Sequence, residues 1–166
     1  MTGALNLLRQ DAVKLLGEYG IHAVTAMDAA PRRRWDGPVA AVSVSRVVCA
    51  PGGFRDYLGL RRDPETGEES ELYGRGVELT VSLDIYAPRE GGEAACQQTM
   101  AVLAEAVACR GLGGLTVLEV NGGRVEFLEK DGLYRLPVSC LCKGWLVARV
   151  DSGGAFADIE VRGRKL

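Results

Sequence analysis

Five cysteines, one histidine and a run of three arginines are the residues whose types could do chemistry in this chain. Cys140 and Cys142 form Cys-x-Cys, and on a strand positions i and i+2 share a face, here with Leu136 and Val138. A zinc site would need two further soft ligands beside them. Cys96 falls on the apolar stripe of an expected helix and Cys109 at its end. The competing reading is therefore core thiols that act as small hydrophobes. Five is an odd number with no framework spacing, which fits reduced thiols in a cytoplasmic chain. His22 adjoins an expected strand without a local nucleophile or carboxylate pattern, the setting of a structural histidine. One imidazole nearly closes the classes that need clustered histidines, such as zincins and two-His iron sites. No catalytic residue, metal ligand or cofactor site is expected.

Other patterns carry less. Gly111-Leu-Gly-Gly-Leu looks like a dinucleotide loop, but it follows a helix, whereas a phosphate loop follows a strand and opens a helix. There is no Gly-x-Ser-x-Gly elbow and no Walker lysine. Glu119, Glu126, Glu129 and Asp131 lie near turns; they do acid–base work only if a cleft gathers them, and solvation is the default. Arg32-Arg33-Arg34-Trp35 is the most concentrated feature. It suits phosphates or an acidic protein partner, or is simply a solvated loop. Phe54, Tyr57, Leu58 and Leu60 put apolar bulk into a polar stretch. They either fold back on the chain's own core or dock on another chain.

The elements that must position these residues follow from periodicity. Leu5, Leu8, Ala12, Leu15 and Leu16 make one stripe of a helix over Ala4–Gly17, stopped by Gly17 and Gly20. Ile21–Met27 reads as a short strand, and residues 31–38 as a loop punctuated by Pro31, Asp36-Gly37 and Pro38. Val39–Cys49 reads as a strand with Ala40, Val42, Val44 and Val48 on one face, interrupted there by Arg46. Residues 50–70 show no periodicity. From Arg55 to Glu71, six acids (Asp56, Asp63, Glu65, Glu68, Glu69, Glu71) face three arginines (Arg55, Arg61, Arg62), a local charge of −3. A structureless stretch of that length is functional, disordered or an unrecognised hairpin. Val77, Leu79, Val81, Leu83 and Ile85 alternate strictly with polar residues and Tyr86, the mark of a half-buried strand ended by Pro88. Val77–Ala87 alone would span roughly 35 Å. Gly91–Cys109 reads as a second helix, with Cys96, Met100, Leu103, Ala104 and Val107 on its stripe. Leu115–Val120, Arg124–Glu129 and Leu133–Val150 read as strands joined by hairpin turns at Asn121-Gly122-Gly123 and Lys130-Asp131-Gly132. Phe156–Arg162 is a last short strand after a Gly-rich break. The expected class is α+β, a mainly antiparallel sheet carrying two helices, with a long projecting loop or hairpin at residues 51–73.

Composition bounds the rest. At 166 residues the chain is the size of one domain with its own core. Hydrophobic residues at 47% and charged residues at 25% exclude wholesale disorder. Gly and Pro together are 28 of 166, about 17%, which calls for many tight turns without reaching low complexity. The net charge of −2 excludes a domain-wide positive field for nucleic acid. No run reaches the roughly 18–20 apolar residues of a membrane span, and the first residues lack the pattern of a signal peptide.

Taken along nearly its whole length, the chain resembles the tail terminator (tail completion) proteins of long-tailed bacteriophages and prophages. The resemblance rests on the N-terminal helix and strand, the long loop, and Gly74-Arg-Gly-Val-Glu-Leu-Thr-Val-Ser-Leu-Asp-Ile-Tyr-Ala-Pro88. It continues through the helix Gly91–Cys109, through Gly132-Leu-Tyr-Arg-Leu-Pro-Val138, and through Phe156-Ala-Asp-Ile-Glu-Val-Arg-Gly163. It implies a structural role: a homo-oligomeric ring, six-membered by family likeness, that caps the tail tube, ends its polymerisation and forms part of the head–tail joining surface. The implied partners are further copies of itself, the tail-tube protein and the head-completion protein, in the cytoplasm of a bacterial host during assembly and then in the virion tail. The resemblance implies DNA passing through the ring without sequence-specific recognition, and no membrane. The residues expected at protein interfaces are Arg32, Arg33, Arg34, Phe54, Tyr57, Leu58 and Leu60. Another head–tail connector or minor tail protein, or a small ligand-binding domain or enzyme, are the alternatives.

Overall fold

The computed structural model describes residues 2–25, 35–51, 56–150 and 156–162. Helix α1 spans Thr2–Glu18. It buries Leu8, Ala12 and Leu16, each four residues from the last and so on one side of the helix. Its end closes as a Schellman turn: Ile21 N–H donates to the Leu16 carbonyl at 2.9 Å, around Gly20 at φ +77°. The chain then enters β1 (His22–Val24), which pairs in parallel with β2 (Val39–Pro51). Strand β3 (Tyr57–Arg62) turns back into β4 (Glu69–Pro88). Helix α2 covers Gly92–Arg110, and its peptide dipoles are complemented by Glu93 in the first turn and Arg110 in the last. Strands β5 (Thr116–Gly122), β6 (Glu126–Leu128), β7 (Leu133–Leu136), β8 (Val138–Val150) and β9 (Phe156–Arg162) complete a sheet that is antiparallel except for β1 against β2.

Strand β4 is the spine. Its twenty residues span roughly 66 Å. One edge pairs with β3 at Glu69–Tyr73 and β2 at Arg75–Tyr86; the other pairs with β8 at Glu71–Ser82 and β7 at Ile85–Pro88. Val77, Leu79, Val81, Leu83, Ile85 and Ala87 are all buried on the face that carries both helices, as the alternation predicts. There they join Leu8, Leu16, Leu103, Val107, Cys140 and Cys142 in one core. Each large aliphatic buried in it contributes roughly 1.5–3 kcal/mol.

The structure corrects three expectations and decides between the alternatives of a fourth. In β2 the register slips between Val44 and Arg46, a bulge centred on Ser45. Before it, Ala40, Val42 and Val44 face the helices. After it, Arg46 lies opposite Thr80 and Val48 opposite Glu78 on the outer face, while Val47 and Cys49 turn toward the helices, opposite Leu79 and Val77. Arg46 thus never interrupts the apolar face. Of the two alternatives for the aperiodic stretch, loop or hairpin, the structure has the hairpin, β3–β4. Its turn is organised by Asp63, whose carboxylate accepts from Glu65 N–H at 2.8 Å and Thr66 N–H at 3.2 Å. The expected single strand Leu133–Val150 is two, because Pro137 has no N–H to give the ladder; β7 and β8 meet β4 at separate places. Finally, Asn121-Gly122-Gly123 is not a hairpin turn. Strand β5 pairs with β8 and β6 with β7, so of these two turns only Lys130-Asp131-Gly132 joins neighbouring strands. Gly123 instead lies so close to Pro137 that a Cβ would come within 2.7 Å of its ring.

At the far end of β4 the buried side of the sheet changes. Leu72 and Val147 are each 3% exposed, yet lie on the face opposite the helices and outside the main core. Gly74 lies opposite Val147 in the ladder. A Cβ on Gly74 would stand 2.7 Å from both Leu58 Cδ1 and the Leu146 carbonyl oxygen. A small second cluster, Leu58–Leu72–Val147 around a bare glycine, therefore holds the end of the sheet together.

Candidate assembly surface

Of the residues expected at an interface, Arg32, Arg33, Arg34 and Phe54 lie outside the described residues. The other three lie on β3, and the structure separates them. Leu58 sits at the irregularity between Tyr57 and Gly59 and turns in over Gly74. Leu60 is 60% exposed and Tyr57 42% exposed. Tyr57 meets Tyr73 edge-on with ring centroids 5.6 Å apart. The Tyr73 hydroxyl donates to Glu71 at 2.8 Å, and this bond to a carboxylate pushes the phenol's pKa up. Beside them Arg75 clasps Asp56 at 2.7 Å. Leu58 thus folds back on the chain's own sheet, while Tyr57 and Leu60 stay exposed.

Around this apolar edge the charge is acidic. Between residues 56 and 75, Asp56, Asp63, Glu65, Glu68, Glu69 and Glu71 face Arg61, Arg62 and Arg75, six against three. The four glutamates are exposed. Val47, at 37% exposure, extends this apolar surface along β2, whereas Val48 lies on the other face of the sheet. An apolar strip with a polar rim is the anatomy of a docking surface.

The chemically suggestive residues are placed differently. Cys140 and Cys142 are fully buried on the helix side of β8. Burial pushes their thiols up to about 12 and about 11, with each far from the thiolate a metal or electrophile needs. Cys96 is buried too, and Cys109 is exposed. Among the described residues no three His, Cys, Asp or Glu side chains gather to hold a metal. His22 is exposed at the start of β1. Gly111 caps α2 with its N–H on the Val107 carbonyl at 2.9 Å, and Leu112 and Leu115 beyond it are buried. That segment ends a helix and opens none. Glu119 accepts from Asn121 at 2.9 Å, while Glu126 and Glu129 are exposed. A shallow groove of about 190 Å³ between the end of α1 and α2 is lined by Tyr19, Gly20, Ile21, Pro38, Gln98, Thr99 and Val102. Among the described residues no carboxylate, thiol or imidazole lines it, and the Thr99 hydroxyl is already donated to the Ala95 carbonyl at 2.8 Å.

One polar site escaped the sequence reading. On the outer face Arg135 of β7 donates to Asp84 of β4 through Nη2 at 2.7 Å and Nε at 3.2 Å. That hydrogen bond raises the guanidinium pKa. The same carboxylate accepts from Val138 N–H at 3.4 Å. Asp84 thereby ties β4 to both strands flanking Pro137. No local signal marks the pair, since 51 residues separate its members.

No protein-family model matches the chain, and no curated protein matches it. Among solved structures, a chain from the virion of a native gene transfer agent particle is similar at 14% identity, over 86% of this chain and 95% of that one, with a TM-score of 0.38. A likeness of that size carries no argument.

Proposed function

We propose that this chain is a structural protein of a phage-like particle that caps the tail tube as a ring, ends tube polymerisation and forms part of the head–tail joining surface. One observation carries the reading beyond the resemblance. The β3–β4 hairpin holds Tyr57 and Leu60 exposed beside an acidic run. A chain that acts alone gains nothing from large apolar groups held out on a built sheet; a chain that acts in copies does. The proposed partners are further copies, the tail-tube protein and the head-completion protein. DNA would cross the ring without being gripped, consistent with a net charge of −2.

The test is assembly. The mass of the protein is measured alone and with tail-tube protein, and a ring, six-membered by family likeness, is expected in at least the second case. A strict monomer in both overturns the proposal. Particles made without this protein separate a terminator from another connector. Loss of a terminator gives tails of uncontrolled length, whereas loss of a joining protein gives tails of normal length that stay headless.

A further inference from the structure

The far end of the sheet is a four-stranded unit, β3–β4–β8–β9. One row of the ladder runs Gly59–Leu72–Arg149–Asp158, and the next runs Tyr57–Tyr73–Ala148–Ile159. Among the described residues, β3 pairs only with β4 and β9 only with β8. Each therefore leaves one backbone edge open, and the two open edges lie on opposite flanks of the same unit. They are similar in length, six and seven residues. Open edges recruit strands because their N–H and C=O groups lack ladder partners.

We infer that the subunits of the ring join by pairing β9 of one copy with β3 of the next, making one sheet that continues around the assembly. This deepens the ring reading and rests on it. Strand direction supports it. Each of the three pairings from β3 to β9 is antiparallel, so β9 runs antiparallel to β3. A copy placed head-to-tail on the next brings β9 against β3 in that same antiparallel sense. The contact is heterologous, the kind that closes into a ring when the rotation between copies divides the circle.

Charge points the same way. Strand β3 ends in Arg61-Arg62, whereas β9 carries Asp158 and Glu160 against one arginine, Arg162. Sheets that close around an axis are staggered. Moving the neighbour two residues along from the in-row register sets Arg61 opposite the Asp158 position, an even shift that preserves the alternation of the ladder. Arg61 Nη1 is shielded from solvent without a hydrogen-bond partner in the single chain. A carboxylate beside that guanidinium offsets the cost. Leu60, the most exposed large apolar residue of this edge, would be covered by the same contact.

Two charge-reversed full-length proteins test this. One carries Arg61→Glu and Arg62→Glu, the other Asp158→Arg and Glu160→Arg. Melting curves confirm that both fold, and native mass spectrometry with tail-tube protein present reads assembly. Each variant alone should lose the ring, because like charges then face each other across the contact. A 1:1 mixture should regain it at the wild-type mass, because reversed edge then meets reversed edge and native meets native in alternation. If either variant alone assembles as the wild type does, or the mixture stays monomeric, the edge pairing is wrong while the ring reading stands. If the wild type itself forms no ring, the ring reading fails first and this inference with it.

Discussion

The thiols of β8 give a prediction with a magnitude. A thiol with a pKa of 9.0, the unperturbed value, is about one-tenth ionised at pH 8. With pKa values near 11 and 12, Cys142 and Cys140 are ionised about a thousandth and a ten-thousandth of the time. Since the thiolate is the nucleophile, they should react with a disulfide reagent roughly 100 and 1,000 times more slowly than an ordinary thiol, before burial slows access further. Exposed Cys109 should react first in the native protein at pH 8. Cys96, Cys140 and Cys142 should appear only on addition of denaturant. The same shifts have a stability consequence. Folding holds these thiols protonated, so above pH 9 the native state binds protons the unfolded chain has lost, and stability falls as pH rises. It is intact below pH 9 and is lost between pH 9 and about 11–12. By pH 10 the loss is roughly 2–3 kcal/mol for the pair, to order of magnitude. Urea titrations at pH 8 and pH 10 measure it, and the Cys140→Ala, Cys142→Ala double variant should show a shallower fall. Native-state labelling of Cys140 at the rate of Cys109, or an equal fall in the double variant, would refute the reasoning.

Truncating Leu83→Ala, at the centre of the core and 0% exposed, should cost about 2–5 kcal/mol by chemical denaturation; a cost below 1 kcal/mol would contradict the placement of the core. Replacing residues 54–70 by a short Gly-containing turn removes the Leu58 cover from Leu72 and Val147. The protein should still fold, about 1–2 kcal/mol less stable as after loss of a partly buried leucine, and should fail to assemble. Outright unfolding would show that the hairpin belongs to the main core. His22→Ala should change stability by less than about 0.5 kcal/mol and leave assembly intact, as expected of an exposed residue away from any site.

The pattern of Val77 to Ile85 settled its strand without help, because a period of two with a wet face has one solution on a sheet. Both helices were legible for the same reason at a period near 3.6, with glycines to stop them, and the burial of Cys96 followed from its place on the stripe. The α+β class came from the order of these elements. Strand β3 was not legible: Tyr-Leu-Gly-Leu-Arg-Arg has no alternation, and only the neighbouring β4 gives it a face. The bulge at Ser45 was invisible for a related reason. Counting every second residue assumes an unbroken register, and the slip that sends Arg46 outward exists only opposite Val81 and Thr80. Asn121-Gly122-Gly123 has the residues of a hairpin turn, but the partner of β5 is β8, which begins only at Val138, so propensity named the bend and not the pairing. The Asp84–Arg135 bond, the reversal of the buried face at Leu72 and Val147, and the two open edges of β3 and β9 are products of register and twist. Those depend on which strands lie side by side. Local sequence fixes how a segment repeats; the sheet decides what each repeat faces.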